Sequence, residues 1–235
     1  MSGHSGKPPV FISVESQTRE LDAKLLLACV AAQRGFPAII GHRTELDFAV
    51  AGFPRGLYLS KSMRRSSVKM FRILRALGHT VIALDEEALV HYPPEIYAGR
   101  RMSAETMPLV DHLFAWGEEN VELWRQFPEI PDDLPIHVTG NPRADLLRPE
   151  LKPYFAGQTR EIGEKYGRFL LLNTNFATVN NINPEQGIFL PGPLREGRYV
   201  PVRGFAGMTE DFAKGLHHQR LNTLQHFREL IPRIA

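Results

Sequence analysis

A single cysteine occurs in the 235 residues, so no internal disulfide can tie the chain together. Cys29 sits in Leu25-Leu26-Leu27-Ala28-Cys29-Val30-Ala31. That apolar setting predicts a buried structural thiol and suits a reducing cytoplasm. Long hydrophobic runs are missing as well: nothing approaches the roughly 18 to 20 apolar residues that cross a bilayer. The expectation is a soluble cytoplasmic protein, with peripheral contact at the inner face of the cytoplasmic membrane as the most a membrane could claim. Residues 1–9 are polar, lack the apolar centre of a secretion signal, and read as a loose leader. A net charge of only +2 gives no case for bulk nucleic-acid binding. Neither a GxxxxGKS phosphate loop nor a nucleophilic Ser or Cys motif is present. No His or Cys accompanies the acids at ligand spacing, and the adjacent His217-His218 pair points two ways on a helix. No metal and no cofactor are expected.

What is present is an alternation. Short apolar runs at 10–15, 38–41, 56–60, 80–85, 112–117 and 136–140 alternate with helical patterns. The helices fall at 19–34, 43–50, 63–77, 86–92 with 103–110, and 118–126. This order predicts an α/β fold, a Rossmann-like parallel sheet with helices on both faces, over residues 10–150. Hydrophobic content of 43% with 23% charged residues is enough to fill such a core. In the first helix Leu21, Leu25, Ala28, Cys29 and Ala32 recur at helical spacing, and Gly35 stands where the helix should stop. The texture changes after Leu147. Residues 151–235 offer a charged helix at 159–166, a strand at 168–175, a loop rich in Asn, Gly and Pro from 176 to about 208, and a helix at 209–230. One strand and one helix cannot bury a sheet of their own, so this part reads as a linker and the incomplete start of a second Rossmann-like domain. The strand's unpaired edges would be a weak point for solubility.

Open α/β sheets bind ligands over the carboxyl ends of their strands, and charged residues gather at those ends. Glu15 closes the first strand; a carboxylate there could act as a general base, or simply favour the start of the next helix alongside Glu20 and Asp22. Arg19 and Glu20 form either a surface ion pair or an anion clamp, with Arg19 on a phosphate or acidic sugar and Glu20 orienting it. Asp85-Glu86-Glu87 follows the fourth strand, where Asp85 and Glu86 are candidate acid/base groups or hydroxyl contacts, and Asp85 is equally an N-cap. Lys61 after the third strand could hold a phosphate or carboxylate. Beyond it Arg64, Arg65, Lys69, Arg72 and Arg75, interleaved with Met63, Met70, Phe71, Ile73 and Leu74, make either a solvated face or a contact for anionic lipid. In 136–147, Gly140 allows a sharp turn, Asn141 can cap, Pro142 suits the first helical position, and Arg143 and Asp145 stand in the first turn. Backbone N–H groups and the dipole of that helix would face a ligand above the sheet. Asn173 and Asn175 alternate on one face of the 168–175 strand and could bond a ligand.

Val138-Thr139-Gly140-Asn141-Pro142-Arg143-Ala144-Asp145-Leu146-Leu147 resembles the V-T-G-N-x-x-x-D segment near the domain junction of GT-B glycosyltransferases. These include Kdo transferases and bacterial surface carbohydrate biosynthesis proteins, and CDP-glycerol glycerophosphotransferases carry a related G-x-P-R-x-D form. VESQTRELDAKLLLA, ALDEEALVHY, FAWGEENVELW and YGRFLLLNTNFATVNN resemble the surface-carbohydrate family in the same order, spanning roughly residues 10 to 183. The resemblance implies transfer of a sugar from a nucleotide-activated donor, such as CMP-Kdo, to a glycan or glycolipid acceptor. It implies Glu15 as the base, with Arg19, Lys61 and Arg143 holding anionic groups and Gly140-Asn141 lining an interdomain cleft. Two departures stand out. Kdo transferases carry Ser-Val-Gly-Glu where this chain has Ser13-Val14-Glu15, and the family's Arg-Pro-His-Pro segment is absent. The chain is therefore expected to lack most of the donor-binding domain, which a partner chain could supply. Two other readings stay open: a non-catalytic acceptor-binding half of a split enzyme, and a UDP-sugar 2-epimerase-like protein.

Overall fold

The computed structural model describes residues 6–87, 93–173, 179, 189–195, 198–203 and 210–234; for 189–195, 198–203, 210 and 212 the backbone alone is described. Two compact units divide the chain, Met1–Glu164 and Lys165–Ala235.

The first unit is built on six parallel strands: β1 (Val10–Val14), β2 (Ala38–His42), β3 (Leu57–Ser60), β4 (Thr80–Leu84), β5 (His112–Ala115) and β6 (Ile136–Val138). Their spatial order is β2-β1-β3-β4-β5-β6. The chain steps outward from β1 to β2 and then crosses back to place β3 on the other side of β1. That reversal is the topological switch point, where a crevice opens above the strand tips. The expected α/β class and all six strands are present, each ending within two residues of the point where its apolar run stops.

Register sorts the side chains into two layers. Phe11 lies beside Tyr58 and Tyr58 beside Val81, all facing one side, while Ile12, Leu59 and Ile82 face the other. The first side carries the main core, where Phe11, Tyr58 and Val81 meet Leu46, Phe71, Leu74 and Trp124. These come from α2 (Arg43–Ala49), α3 (Val68–Ala76) and α5 (Glu118–Arg125). Truncating a fully buried member such as Phe71 to Ala would cost about 3–5 kcal/mol. On the second side Leu59, Ile82 and Leu84 form a smaller cluster under Leu27 of α1 (Gln17–Gln33).

α1 stops as its glycine indicates. Gly35 has φ +81°, its N–H reaches Ala32 O and the Phe36 N–H reaches Ala31 O, which closes the helix with a left-handed turn. The side it buries is different from the expected stripe. Glu20, Ala23 and Lys24 face inward, Leu25 is 39% exposed, and Cys29 is exposed. The buried thiol is thus corrected to a surface one. Apolar residues lie on every side of α1, so their spacing could not single out the face that packs.

Other helices shift. α3 starts at Val68 after a 3₁₀ turn at Arg65–Ser67, and Met63, Phe71 and Leu74 are core residues. They are therefore not part of any lipid-facing surface, which leaves Lys69, Arg72 and Ile73 outside, while Arg75 pairs with Asp111 and Arg65 with Glu105. The helix expected at 86–92 begins as a turn at 86–87, and the rest of it lies outside the described residues. Pro93-Pro94 instead opens α4 (Pro94–Arg101), Pro94 occupying the position where a missing N–H costs nothing. Residues 103–110 hold only a 3₁₀ turn, Met107–Leu109. Near the other end, α6 (Pro142–Asp145) is a single turn, followed by a 3₁₀ segment at Pro149–Phe155 and by α7 (Ala156–Tyr166). Residues 7–9, expected in the leader, dock on the sheet: Lys7 Nζ donates to Arg34 O, and Pro9 O accepts from Leu57 N.

In the second unit, 168–173 is not a strand. Phe169, Leu170 and Leu171 are exposed, so a run of four apolar residues found no sheet to enter among the described residues. The span expected as a loop instead carries an antiparallel hairpin of β7 (Phe189–Arg195) and β8 (Arg198–Arg203). Its pairing shifts between Pro191 and Leu194, as prolines demand. α8 (Glu210–Ile234) follows. Among the described residues no helix is long and apolar enough to cross a membrane.

Candidate functional site

Five of the six strands end in a charged residue above the sheet: Glu15 after β1, Arg43 after β2, Lys61 after β3, Asp85 after β4, and Arg143 shortly after β6. With Arg19, Arg64 and Arg101 they line a cleft of about 140 Å³. Its walls carry six cations against four carboxylates. The excess of positive charge in a small recess suits an anionic ligand.

One half of the cleft lies over the switch point and is dense with ion pairs. Glu15 holds Arg43 and Lys61, both at 2.5 Å, and Lys61 also reaches Glu20 at 3.0 Å. Glu20 is 1% exposed, yet three groups keep it satisfied. It binds Arg19 at 3.1 Å and Lys61, and its second oxygen accepts the Glu15 backbone N–H at 2.9 Å. Burial opposes ionisation of Glu20, but those donors prevail and hold its carboxyl down at about 2. The same contest at Glu15 ends the same way: burial raises it, and Lys61 and Arg43 bring it below the usual carboxylate range. Lys61 loses by burial and gains more from Glu15 and Glu20, so its ammonium is held charged.

In the other half the hydrogen bonds to the Asp85 carboxyl come from neutral donors. Asp85 is buried, its Oδ2 accepts from Tyr97 Oη at 2.9 Å, and Tyr97 Oη in turn accepts from Trp124 Nε1 at 2.9 Å. Trp116 Nε1 donates to the Asp85 carbonyl at 2.8 Å. Asp85 Oδ1 accepts the Glu87 N–H at 3.1 Å, and Arg101 stands 3.7 Å away, engaged with Glu87 at 2.5 Å. Burial pushes the Asp85 carboxyl up, and the Glu87 N–H and the Tyr97 hydroxyl recover only part of the shift. Between the halves Glu86 pairs with Lys24 of α1, both nearly buried, and its carbonyl accepts from Arg143.

Of the residues singled out in the sequence, Glu15, Arg19, Lys61, Asp85, Glu86 and Arg143 line this one cleft. Glu20 lies just beneath it. Asn141 is buried and caps α6, its Oδ1 accepting the Arg143 N–H at 2.8 Å, and Gly140 turns the chain at φ +77°. The Thr139 and Gly140 N–H groups both go to Ala115 O. The Arg143 N–H goes to Asn141 Oδ1 and only one turn of helix follows, so what this segment places in the cleft lining is the side chain of Arg143. Asp145 does not line the cleft and pairs with Arg148 at 2.8 Å. Asn173 is exposed in the second unit, outside any strand, and Asn175 lies outside the described residues. Among the described residues no group of three or more His, Cys, Asp or Glu could hold a metal ion.

Arg43, Arg101 and Lys24 were missed; Arg64 was read as part of a basic helix face, and Glu87 only within the run Asp85-Glu86-Glu87. Arg43 had a readable signal, since it is the first residue after β2. Arg101 had none, because it ends a helix hidden behind Pro93-Pro94.

No family model and no curated protein matches the chain.

Proposed function

We propose that this chain binds an anionic sugar or sugar phosphate over the β1–β3 switch point, as the acceptor-side lobe of a GT-B-type glycosyltransferase of surface polysaccharide assembly. One observation carries the reading: charged residues from separate strand tips converge in a single recess, with carboxylates able to handle a hydroxyl proton beside cations able to hold a phosphate or carboxylate. The order of the quoted segments, which resemble the surface-carbohydrate family, supports the sugar. In that family the donor contacts lie mainly in a second parallel-sheet lobe. The described residues of 165–235 hold a hairpin and a helix instead. The 235-residue chain is expected to bind acceptor-like anions in this recess.

The test is an NMR titration of the ¹⁵N-labelled chain with glucose 6-phosphate, free Kdo and neutral glucose. The two anions should shift resonances around Lys61, Ser62 and Arg143 at millimolar concentration, and Arg143→Ala should weaken this several-fold. Equal response to glucose, or shifts confined to other surfaces, would overturn the reading.

A second reading, binding without chemistry, is favoured by one observation: Glu15 is already engaged by two cations and held ionised. A carboxylate so stabilised is a weak base. Transfer of labelled sugar from CMP-Kdo or a UDP-sugar, in the presence of a complementary donor lobe, would exclude this alternative.

A further inference from the structure

We propose that Asp85 is the proton-transferring carboxyl of the cleft, and that Tyr97 and Trp124 are positioning residues that aim it. The inference rests on the sugar-transfer reading and assigns the base within it.

The argument is one of hydrogen-bond direction. An indole N–H can only donate. Trp124 Nε1 therefore donates to Tyr97 Oη, and the Tyr97 hydroxyl proton is left for Asp85 Oδ2. Trp124, Tyr97 and Asp85 are all buried, so water does not compete for these bonds. Trp116 Nε1 fixes the Asp85 backbone from the β5 side. Oδ2 is thus committed to the core. Oδ1 is on the side of Glu87 and Arg101, which line the cleft, and Arg101 at 3.7 Å is beyond hydrogen-bond reach. One oxygen is anchored in the core, and the other, held only by the Glu87 N–H at 3.1 Å, keeps a lone pair for a proton from the cleft side.

The charged and titratable groups around this carboxyl come from every neighbouring element: Tyr97 and Arg101 from α4, Arg64 from the segment before α3, and Glu86 and Glu87 from its own loop. Lys61 O accepts the Glu86 N–H at 3.4 Å from β3, and Arg143 reaches Glu86 O from beyond β6. Its nearest cation, Arg101, stands at 3.7 Å, against 2.5 Å for both cations on Glu15. Burial raises its proton affinity while Glu15's is lowered, which makes Asp85 the stronger base of the two.

In the step itself the acceptor hydroxyl oxygen bonds to the anomeric carbon of the activated sugar. The bond from that carbon to the nucleotide phosphate oxygen breaks, its electron pair leaving with the phosphate. The hydroxyl proton passes to Asp85 Oδ1.

The experiment is ¹³C NMR of the full chain labelled at Asp carboxyl carbons, with Asp85→Asn identifying the resonance. Asp85 should titrate above the ordinary aspartate range. Tyr97→Phe keeps the ring and removes one donor to the ionised form, so the midpoint should rise by about one pH unit, the worth of one such bond. Trp124→Phe should raise it less, and it serves where Tyr97→Phe fails to fold. A purely structural trio would lose stability with no change in midpoint. An Asp85 midpoint in the ordinary range, or one that moves in neither variant, overturns the proposal. Glucose 6-phosphate shifts at Lys61 and Arg143 report separately on the sugar reading. Their absence beside a perturbed midpoint sinks that reading and spares the poised carboxyl. Their presence beside an ordinary midpoint sinks the poised carboxyl alone.

Discussion

Glu15 and Asp85 occupy equivalent places, each the first residue past its strand and each facing the same cleft, yet they hold their protons in opposite ways. Glu15 is partly exposed and gripped by Lys61 and Arg43, so it is an acid of lowered pKa. Asp85 is buried against Tyr97, with its nearest cation 3.7 Å off, so its pKa is raised. Chemical identity and topology are alike; the neighbours decide. Two carboxylates whose environments drive their proton affinities apart are the usual means of dividing acid/base work within one site.

The largest way to break this arrangement is at the wall between its halves. Lys24→Met would leave the Glu86 carboxylate buried without its partner. Breaking one side of a buried pair costs about 3–5 kcal/mol, which urea denaturation would register as a lower midpoint with an unchanged slope. The double variant Lys24→Met/Glu86→Leu should recover much of the loss. If Lys24→Met alone is neutral, the pair does not brace the cleft.

A smaller effect tests the Glu15 side. Glu20 has a folded-state pKa near 2, depressed from 4.5. Its contribution is complete above the unfolded value and is lost as pH falls from about 4.5 toward 2. Glu20→Gln should cost about 2 kcal/mol at pH 7, the scale of hydrogen bonds to a charged group, and should flatten the acid limb of the stability curve over that window. An unchanged acid limb would mean that its three donors contribute nothing net.

On the Asp85 side the sign reverses. A carboxyl raised above its unfolded value favours the fold when protonated, and that advantage fades as pH rises through the folded pKa. Asp85→Asn should accordingly be neutral or stabilising at pH 8, within about 1 kcal/mol, while abolishing proton transfer. Such a stabilising loss of function is the common signature of a site under strain. Comparable destabilisation by Asp85→Asn and Glu20→Gln at pH 8 would erase the contrast drawn between the two halves.

How much of this was readable beforehand depends on the distance over which each feature is determined. The six strands were legible because Val10–Val14 or Thr80–Leu84 is apolar on both faces and bounded by turn residues, which are local signals. Their carboxyl-end residues followed by topology, and Glu15, Lys61, Asp85 and Arg143 do meet. The failures were tertiary. Nothing local says that α1 turns Glu20 and Lys24 inward and Cys29 outward, because the choice rests on carboxylates and cations supplied from β3 and β4. Phe169-Leu170-Leu171-Leu172 reads as a strand at any range shorter than a sheet. Tyr97 was invisible as a functional residue because its partner Trp124 is 27 positions away.

The smallest expected effect on stability is the most informative about ligand. Glu15 is partly exposed, and removing its charge should cost no more than about 1 kcal/mol, as for surface ion pairs. In the unliganded cleft, however, Glu15 competes with any incoming anion for Lys61 and Arg43. Glu15→Gln should therefore tighten glucose 6-phosphate binding a few-fold, with a steeper salt dependence as the two cations meet the phosphate directly. A Glu15 that instead contacts the sugar hydroxyl would give the opposite result, weaker binding of phosphate and of free Kdo alike. Titration of both probes at two salt concentrations separates the outcomes, and tighter binding in Glu15→Gln would leave Asp85 as the carboxylate free to take the proton.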